Sequence, residues 1–251
     1  MKNIFKINTF TYLFFLLSIL SGYYKNILTI YLTLIIHELG HYLIMKIYKI
    51  NVYSITIYPY GGMIKSNILI NTNSKKILLI SLGGIIFQIL FMTILYLLYN
   101  LNIINIYIYK LFLENNIYII IFNLLPIYPL DGFKILNSIL ELLFNYKKSI
   151  NLIFIINIIT IILFFFYLYI NKITNYLIII FLLINLINYI KELKHIVNKF
   201  YLERYIYDIK YNGLISINNI NEMYKNKYNY INGINEKEYL TYKFANNNEI
   251  W

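Results

Sequence analysis

The segment LTLIIHELGHYLIMKIY, residues 32–48, places ionisable side chains inside an apolar run. His37 and His41 are four residues apart, so on a helix that turns about 100° per residue both lie on one face and can bind the same ion. His-Glu-x-x-His on a helix is a zinc-binding pattern in which two neutral imidazoles bind the metal and the glutamate, here Glu38, is the general base. An ionisable group near a bilayer centre costs roughly 2.5–3.5 kcal/mol on insertion scales, so this cluster predicts a function.

A catalytic zinc ion needs three protein ligands and an open position. Acidic residues are scarce before residue 190, where only Glu38, Glu114, Asp131 and Glu141 occur. Asp131 follows the proline-interrupted segment LLPIYPLDG, which can return the chain to the histidine helix. We therefore predict one zinc ion per chain, bound by His37, His41 and Asp131. A structural zinc is the alternative, and the visible set of only three protein ligands favours an open, catalytic site.

The composition is that of a membrane protein. The chain has 251 residues, of which 60% are hydrophobic and 13% charged, about half the charged share of soluble domains. It has no cysteine, which excludes disulfides and leaves the redox compartment open. The net charge of +11 fits lysines on cytoplasmic loops near anionic lipid, and no basic segment has a nucleic-acid-binding pattern, so we expect a lipid bilayer and no nucleic acid as partner.

These features predict an all-α polytopic membrane protein with about six transmembrane helices, and we expect the first stretch to be a retained anchor. The apolar stretches are 8–24, 26–48, 77–99, a broken stretch at 115–145, 150–170 and 173–190. Lysines concentrate on alternate connecting loops, which predicts that both termini are cytoplasmic.

The loop at 49–76 is β-branched and aromatic with a Gly-Gly break, which predicts a small cytoplasmic β-hairpin or edge strand. We divide the chain into a membrane domain, 1–195, and a short cytoplasmic tail, 196–251, which is a candidate truncated regulatory module.

The motifs together resemble the site-2 protease family of intramembrane zinc metalloproteases, and in particular its sporulation branch, that of stage IV sporulation protein FB. The resemblance covers about residues 1–205 and is carried by HELGH at 37–41, YPYGGMIK at 58–65, SLGGIIFQ at 81–88, FNLLPIYPLDG at 122–132 and FYLERY at 200–205. It implies a metalloendopeptidase with His37, His41 and Asp131 as zinc ligands and Glu38 as base. It also implies contact of Asn123 with the substrate or the oxyanion, for which interhelical hydrogen bonding is the alternative.

The third apolar stretch departs from the family pattern. The family often has Gly-Pro and a later asparagine there, whereas Ile85 follows Gly84 and Gln88 stands at the later place. We interpret Ser81, Gly83 and Gly84 as small residues for helix packing.

The resemblance implies a membrane-tethered substrate such as pro-sigma-K, cut near the cytoplasmic face of the mother-cell membrane that surrounds the forespore. Integral membrane inhibitor proteins are the implied regulators. The strand-like segment can hold an extended substrate by β-augmentation, and the residues predicted for this role are Thr56, Ile57, Tyr58, Gly61 and Gly62.

Three other functions fit parts of the sequence: a protease of the same family with another substrate, a catalytically silent metal-binding scaffold, and a metal transporter. A scaffold has no need of Glu38. A transporter needs ionisable residues at several depths, whereas this chain concentrates them at one site.

Overall fold

The structure, a computed structural model, describes residues 5–58, 61–170, 176–207, 209, 211 and 213–246. The described residues are mostly helical and include two three-stranded sheets. The elements in chain order are β1 (Phe5–Ile7), α1 (Thr9–Leu20), α2 (Tyr24–Ile47), β2 (Val52–Tyr58), β3 (Gly61–Ser66), α3 (Ser74–Asn100), α4 (Ile106–Leu124), α5 (Asp131–Leu143), α6 (Tyr146–Ile170), α7 (Tyr176–Ile206), β4 (Leu214–Ile217), a 3₁₀ turn (Ile220–Glu222), β5 (Tyr228–Ile231), β6 (Ile234–Asn235) and α8 (Glu236–Asn246).

Three helices of the described chain, α2, α3 and α6, are long and apolar enough to cross a membrane. Helix α1 has 12 residues, fewer than the ~20 that a bilayer requires. The predicted broken stretch at 115–145 is two helices, α4 and α5, because Pro126 and Pro129 interrupt helical hydrogen bonding between them. The start of the predicted sixth stretch, 173–175, lies outside the described residues. Six spans and cytoplasmic termini stay predictions.

The chain forms two compact units. The first contains Met1–Ile68 and Leu79–Leu124, and the second contains Leu69–Leu78 and Leu125–Trp251. Helix α3 therefore begins in the second unit and continues through the first.

The first unit contains the predicted hairpin. Strands β2 and β3 are antiparallel, and β1 pairs with the other edge of β2 in parallel. The hairpin turn at 59–60 lies outside the described residues. The sheet order β1-β2-β3 leaves β3 as the outer strand on one side. The sequence predicted the hairpin, and the parallel partner β1 is an addition from the structure.

Helix α2 packs closely on α3 and α4 in the first unit. A Cβ added to Gly40 would lie 2.3 Å from the carbonyl oxygen of Gly83, so α2 and α3 cross at backbone contact. The side-chain Nδ2 of Asn115 on α4 donates to Oδ1 of Asn26 at 3.0 Å and to Oγ1 of Thr29 at 2.7 Å. Such amide and hydroxyl contacts fix the position of one apolar helix against another, where hydrophobic burial alone is a weak guide.

The second unit combines α5, α6 and α7 with a C-terminal module, residues 213–246. In this module β4 pairs in parallel with β5, β5 pairs antiparallel with β6, and α8 follows. Its apolar core is shared with α6 and α7, since Ile231 and Leu240 are fully buried in one cluster with Tyr146 and Phe200. The segment predicted as a short tail therefore contains folded structure that packs on its own unit.

Arg204, near the end of α7, is the centre of a buried polar network in the second unit. Its guanidinium donates to Glu236 at 2.7 Å, to Oδ1 of Asn71 at 2.9 Å and to the carbonyl oxygen of Lys225 at 2.6 Å. Burial lowers the pKa of Arg204, and the neighbouring Glu236 opposes that change. A buried guanidinium satisfied in this way fixes the arrangement of the segments that it joins.

Candidate metal centre

Helix α2 brings His37 and His41 onto one face, as their spacing predicts. Both side chains are buried, and their Nε2 atoms are 3.0 Å apart. The rings meet edge to face with centroids 4.6 Å apart. One nitrogen of each imidazole therefore points to the same place.

The other ring nitrogen of each histidine is held by an oxygen acceptor on α3. Nδ1 of His41 donates to the carbonyl oxygen of Ile80 at 2.7 Å, and Nδ1 of His37 lies 2.8 Å from Oε1 of Gln88. A carbonyl oxygen can only accept, so Nδ1 of His41 carries a proton. With Oε1 of Gln88 as acceptor, Nδ1 of His37 carries a proton as well. Outer contacts of this kind orient metal-binding histidines in many proteins.

Gln88 is a functional residue that the sequence analysis left without a role. It is fully buried. The available signal was a polar amide in the middle of an apolar helix, where such a group requires a partner.

Gly84 on α3 lies directly against the two imidazoles. A Cβ added there would be 2.5 Å from Cε1 of His37 and 2.6 Å from Nε2 of His41. The prediction of helix packing holds for Gly83, whose added Cβ would meet the backbone of Gly40 at 2.9 Å. Gly84 instead provides the space in which the histidine rings lie.

Glu38 lies beside the hairpin. Its side chain is buried, and a Cβ added to Gly62 on β3 would be 2.3 Å from the carboxyl carbon of Glu38. Only glycine leaves room for the carboxylate at this position of the strand. The GG pair of the sequence thus has a steric role next to the predicted base.

Asp131 is the first residue of α5 in the second unit. It is buried, and one of its carboxylate oxygens accepts from Nζ of Lys134 at 3.0 Å. A carboxylate in the first turn of a helix is favoured by the helix dipole.

His37, His41 and Asp131 are a group of residues that could hold a metal ion. One ligand atom each from His37, His41 and Asp131 lies within 4.8 Å of the others, and all three residues are buried. Two imidazoles and one carboxylate are a donor set typical of catalytic zinc. The residues present therefore fit a zinc ion.

The remaining predicted site residues lie in the first unit. Asn123 is half-buried in the last turn of α4. Thr56 and Ile57 are paired on both sides, to β1 and to β3, so neither edge of β2 is open to a substrate in this sheet. Gly61 and Gly62 lie on β3, the outer strand. An added substrate strand would therefore meet β1 or β3 and not Thr56 or Ile57.

Comparison with known proteins gives three matches. The sequence model of peptidase family M50 matches residues 25–104. Stage IV sporulation protein FB of Bacillus subtilis (strain 168) is 28% identical over 130 residues, which are 52% of this chain and 45% of that protein. The chain thus spans about half the length of this curated relative. The site-2 protease from Methanocaldococcus jannaschii is similar in fold, with a TM-score of 0.52 and 24% identity over 73% of this chain and 87% of that one.

Proposed function

We propose that this chain is an integral membrane protein of the site-2 protease family and a zinc metalloendopeptidase that hydrolyses a peptide bond of a membrane-tethered protein. The observation that carries this proposal is the convergence of two histidine Nε2 atoms, 3.0 Å apart, in a group that includes a buried carboxylate. His37, His41 and Asp131 are the proposed ligands of one zinc ion.

Zinc bound there supplies Lewis acidity to the scissile carbonyl and lowers the pKa of water. Glu38 is the proposed base, since its carboxylate follows His37 in the chain and is buried against Gly62. A carboxylate oxygen of Glu38 takes a proton from the water molecule that attacks the peptide bond. Glu38 then delivers that proton to the leaving amine nitrogen.

Asn123 is the proposed donor to the developing oxyanion. Support comes from the pairing of α4 with α2. Asn115 contacts Asn26 and Thr29, and Ile119 packs in a cluster with Leu34, so the two helices run in the same direction. Asn123, one turn beyond Ile119, therefore lies near the level of the histidines in this register.

Strand β3 is the proposed docking edge for an extended substrate. A photo-crosslinking amino acid at the exposed Met63 of β3, in a Glu38→Gln background, should capture the substrate. The same probe at the exposed Phe10 on α1 should not. Equal capture at both positions would count against β3 as the docking edge.

The likeness to stage IV sporulation protein FB supports pro-sigma-K, or a similar membrane-tethered precursor, as substrate. Cleavage near the cytoplasmic face of the mother-cell membrane fits release of a sigma factor into that compartment. Integral membrane inhibitor proteins are the proposed regulators. A protease of this family with a different membrane substrate has the same site chemistry.

The test is co-expression of the chain with a candidate pro-sigma-K, with the size of the precursor read on a gel. Wild type should cleave, and Glu38→Gln should not. Glu114→Gln is the matched control, because it makes the same change at an exposed carboxylate of α4 and should leave cleavage intact. Equal cleavage by wild type and Glu38→Gln would overturn the role of Glu38. Zinc bound in a one-to-one ratio without cleavage of this precursor would point to another substrate.

A further inference from the structure

The carboxylate of Glu141 joins three separate segments of the second unit. Oε2 of Glu141, in the last turn of α5, accepts from Oγ of Ser74 at 2.7 Å and from Nζ of Lys225 at 2.7 Å. Oε1 accepts from Nδ2 of Asn137 at 3.0 Å. The side chains of the ion pair are only 3% and 2% exposed, so this is a fully buried salt bridge.

The residues next to Lys225 contact the same two helix ends. Nδ2 of Asn226 donates to the carbonyl oxygen of Glu141 at 3.1 Å, and Oδ1 of Asn226 accepts from the backbone N–H of Ser74 at 2.9 Å. One loop of the C-terminal module thus binds the end of α5 and the beginning of α3.

A buried ion pair is a poor means of stabilising a fold, since apolar residues of similar size often do so equally well. What it provides is a single defined arrangement, because each charge is satisfied only when its partner is in place. Here the arrangement concerns α5. This helix begins at the proposed ligand Asp131, roughly 15 Å from Glu141 at 1.5 Å per residue.

We infer that Lys225 and Glu141 are positioning residues for the proposed ligand Asp131, through which the C-terminal module holds α5, the helix that begins at this ligand. This inference rests on the proposed zinc site. Neither residue touches the metal. Loss of Lys225 leaves the buried Glu141 carboxylate with only the neutral donors Ser74 and Asn137 and without a counter-charge. Its charge then favours movement of the last turn of α5 toward water, and a helix of 13 residues transmits that movement to its other end.

The experiment measures zinc affinity of the purified full chain in detergent by competition with a chromophoric chelator, together with thermal unfolding of each variant. Lys225→Met should weaken zinc binding by about tenfold, the effect expected for residues that couple to a site without touching it. Glu141→Gln should weaken it to a similar degree, because it leaves the lysine charge buried. The double variant removes both charges and should return to within about threefold of wild type.

Lys147→Met is the matched control. It removes a lysine at the same junction, where Lys147 makes an exposed hydrogen bond to Asn221, and it should leave zinc affinity unchanged. A purely structural role would lower the unfolding temperature of Lys225→Met and Glu141→Gln without changing the zinc affinity of the folded protein, and that result overturns the inference. If Lys225→Met fails to fold, Glu141→Gln and the double variant decide between the two outcomes. Failure of wild type to bind zinc would instead reject the proposed function.

Discussion

Replacement of Gly84 by alanine tests the geometry of the metal centre directly. The added methyl carbon would lie 2.5 Å from Cε1 of His37 and 2.6 Å from Nε2 of His41. Carbon atoms in contact prefer a separation of about 3.5 Å, so the overlap is about 1 Å for each ring. Either the rings or α3 must move by that distance.

That movement has a large effect on metal binding. The hydrogen bonds at Nδ1 are 2.8 Å for His37 and 2.7 Å for His41, and a ring displaced by about 1 Å loses them. Loss of one orienting contact of a metal-binding histidine lowers metal affinity by roughly 10–100-fold. Because both rings are affected, we expect Gly84→Ala to bind zinc about 100-fold more weakly than wild type, at the upper end of that range.

The assay is the zinc affinity of the folded, detergent-solubilised chain. Gly22→Ala is the control, because Gly22 has a φ of +77° and nothing within 4 Å of its added Cβ. Alanine at position 22 strains the backbone outside the metal centre, so this variant should lose thermal stability and keep the zinc affinity of wild type. Zinc binding by Gly84→Ala within about threefold of wild type would refute the steric argument, since a 1 Å displacement is incompatible with intact ligand geometry.

Three further predictions follow from named contacts. Gln88→Ala removes the acceptor for Nδ1 of His37 and should weaken zinc binding by roughly 10–100-fold. Gln88→Glu keeps an acceptor oxygen, so it should bind zinc more tightly than Gln88→Ala when both are measured by chelator competition. Gly62→Ala should abolish cleavage while zinc stays bound, because its methyl carbon would displace the Glu38 carboxylate and not the imidazoles; loss of zinc in this variant would contradict that separation. Burial raises the pKa of Tyr201 to about 12, above the ~10 of an unfolded chain. The folded state therefore holds this proton more tightly, its contribution to stability is complete below about pH 10, and it is lost as pH rises from about 10 to about 12. Thermal unfolding of Tyr201→Phe should depend less on pH over that window than wild type, and parallel curves would argue against the shift.

The proposed metal ligands could be named from the sequence because the evidence for the histidine pair is local. Two histidines four residues apart define a helix face wherever that helix lies, and ionisable groups in an apolar chain require a function. The prolines at 126 and 129 likewise predict an interruption before Asp131, and the structure has α4 and α5 on either side of it. The Gly-Gly break in a β-branched segment predicted the hairpin in the same way.

The residues that support the ligands depend on contacts between distant parts of the chain. Gln88 and His37 are separated by 51 positions, and their contact is determined by how α3 is rotated against α2. The apolar residues of α3 have no periodicity that specifies this rotation, because a helix with leucine and isoleucine on every face is compatible with lipid in any orientation. The tertiary structure therefore decided that Gln88 faces the site and that Gly84 makes room for the rings.

The C-terminal segment shows the same division. Its polar composition predicted only a tail outside the membrane. Its fold depends on pairing between β4 and β5 and on the burial of Arg204 and Lys225 against partners far away in the chain. A charged residue in a sequence indicates exposure by default, and only a tertiary structure supplies the buried carboxylates that reverse that expectation. The sequence by itself thus predicted the chemistry proposed for the centre, and only the tertiary structure decided which side chains lie against the histidines and which charges are buried in the C-terminal module.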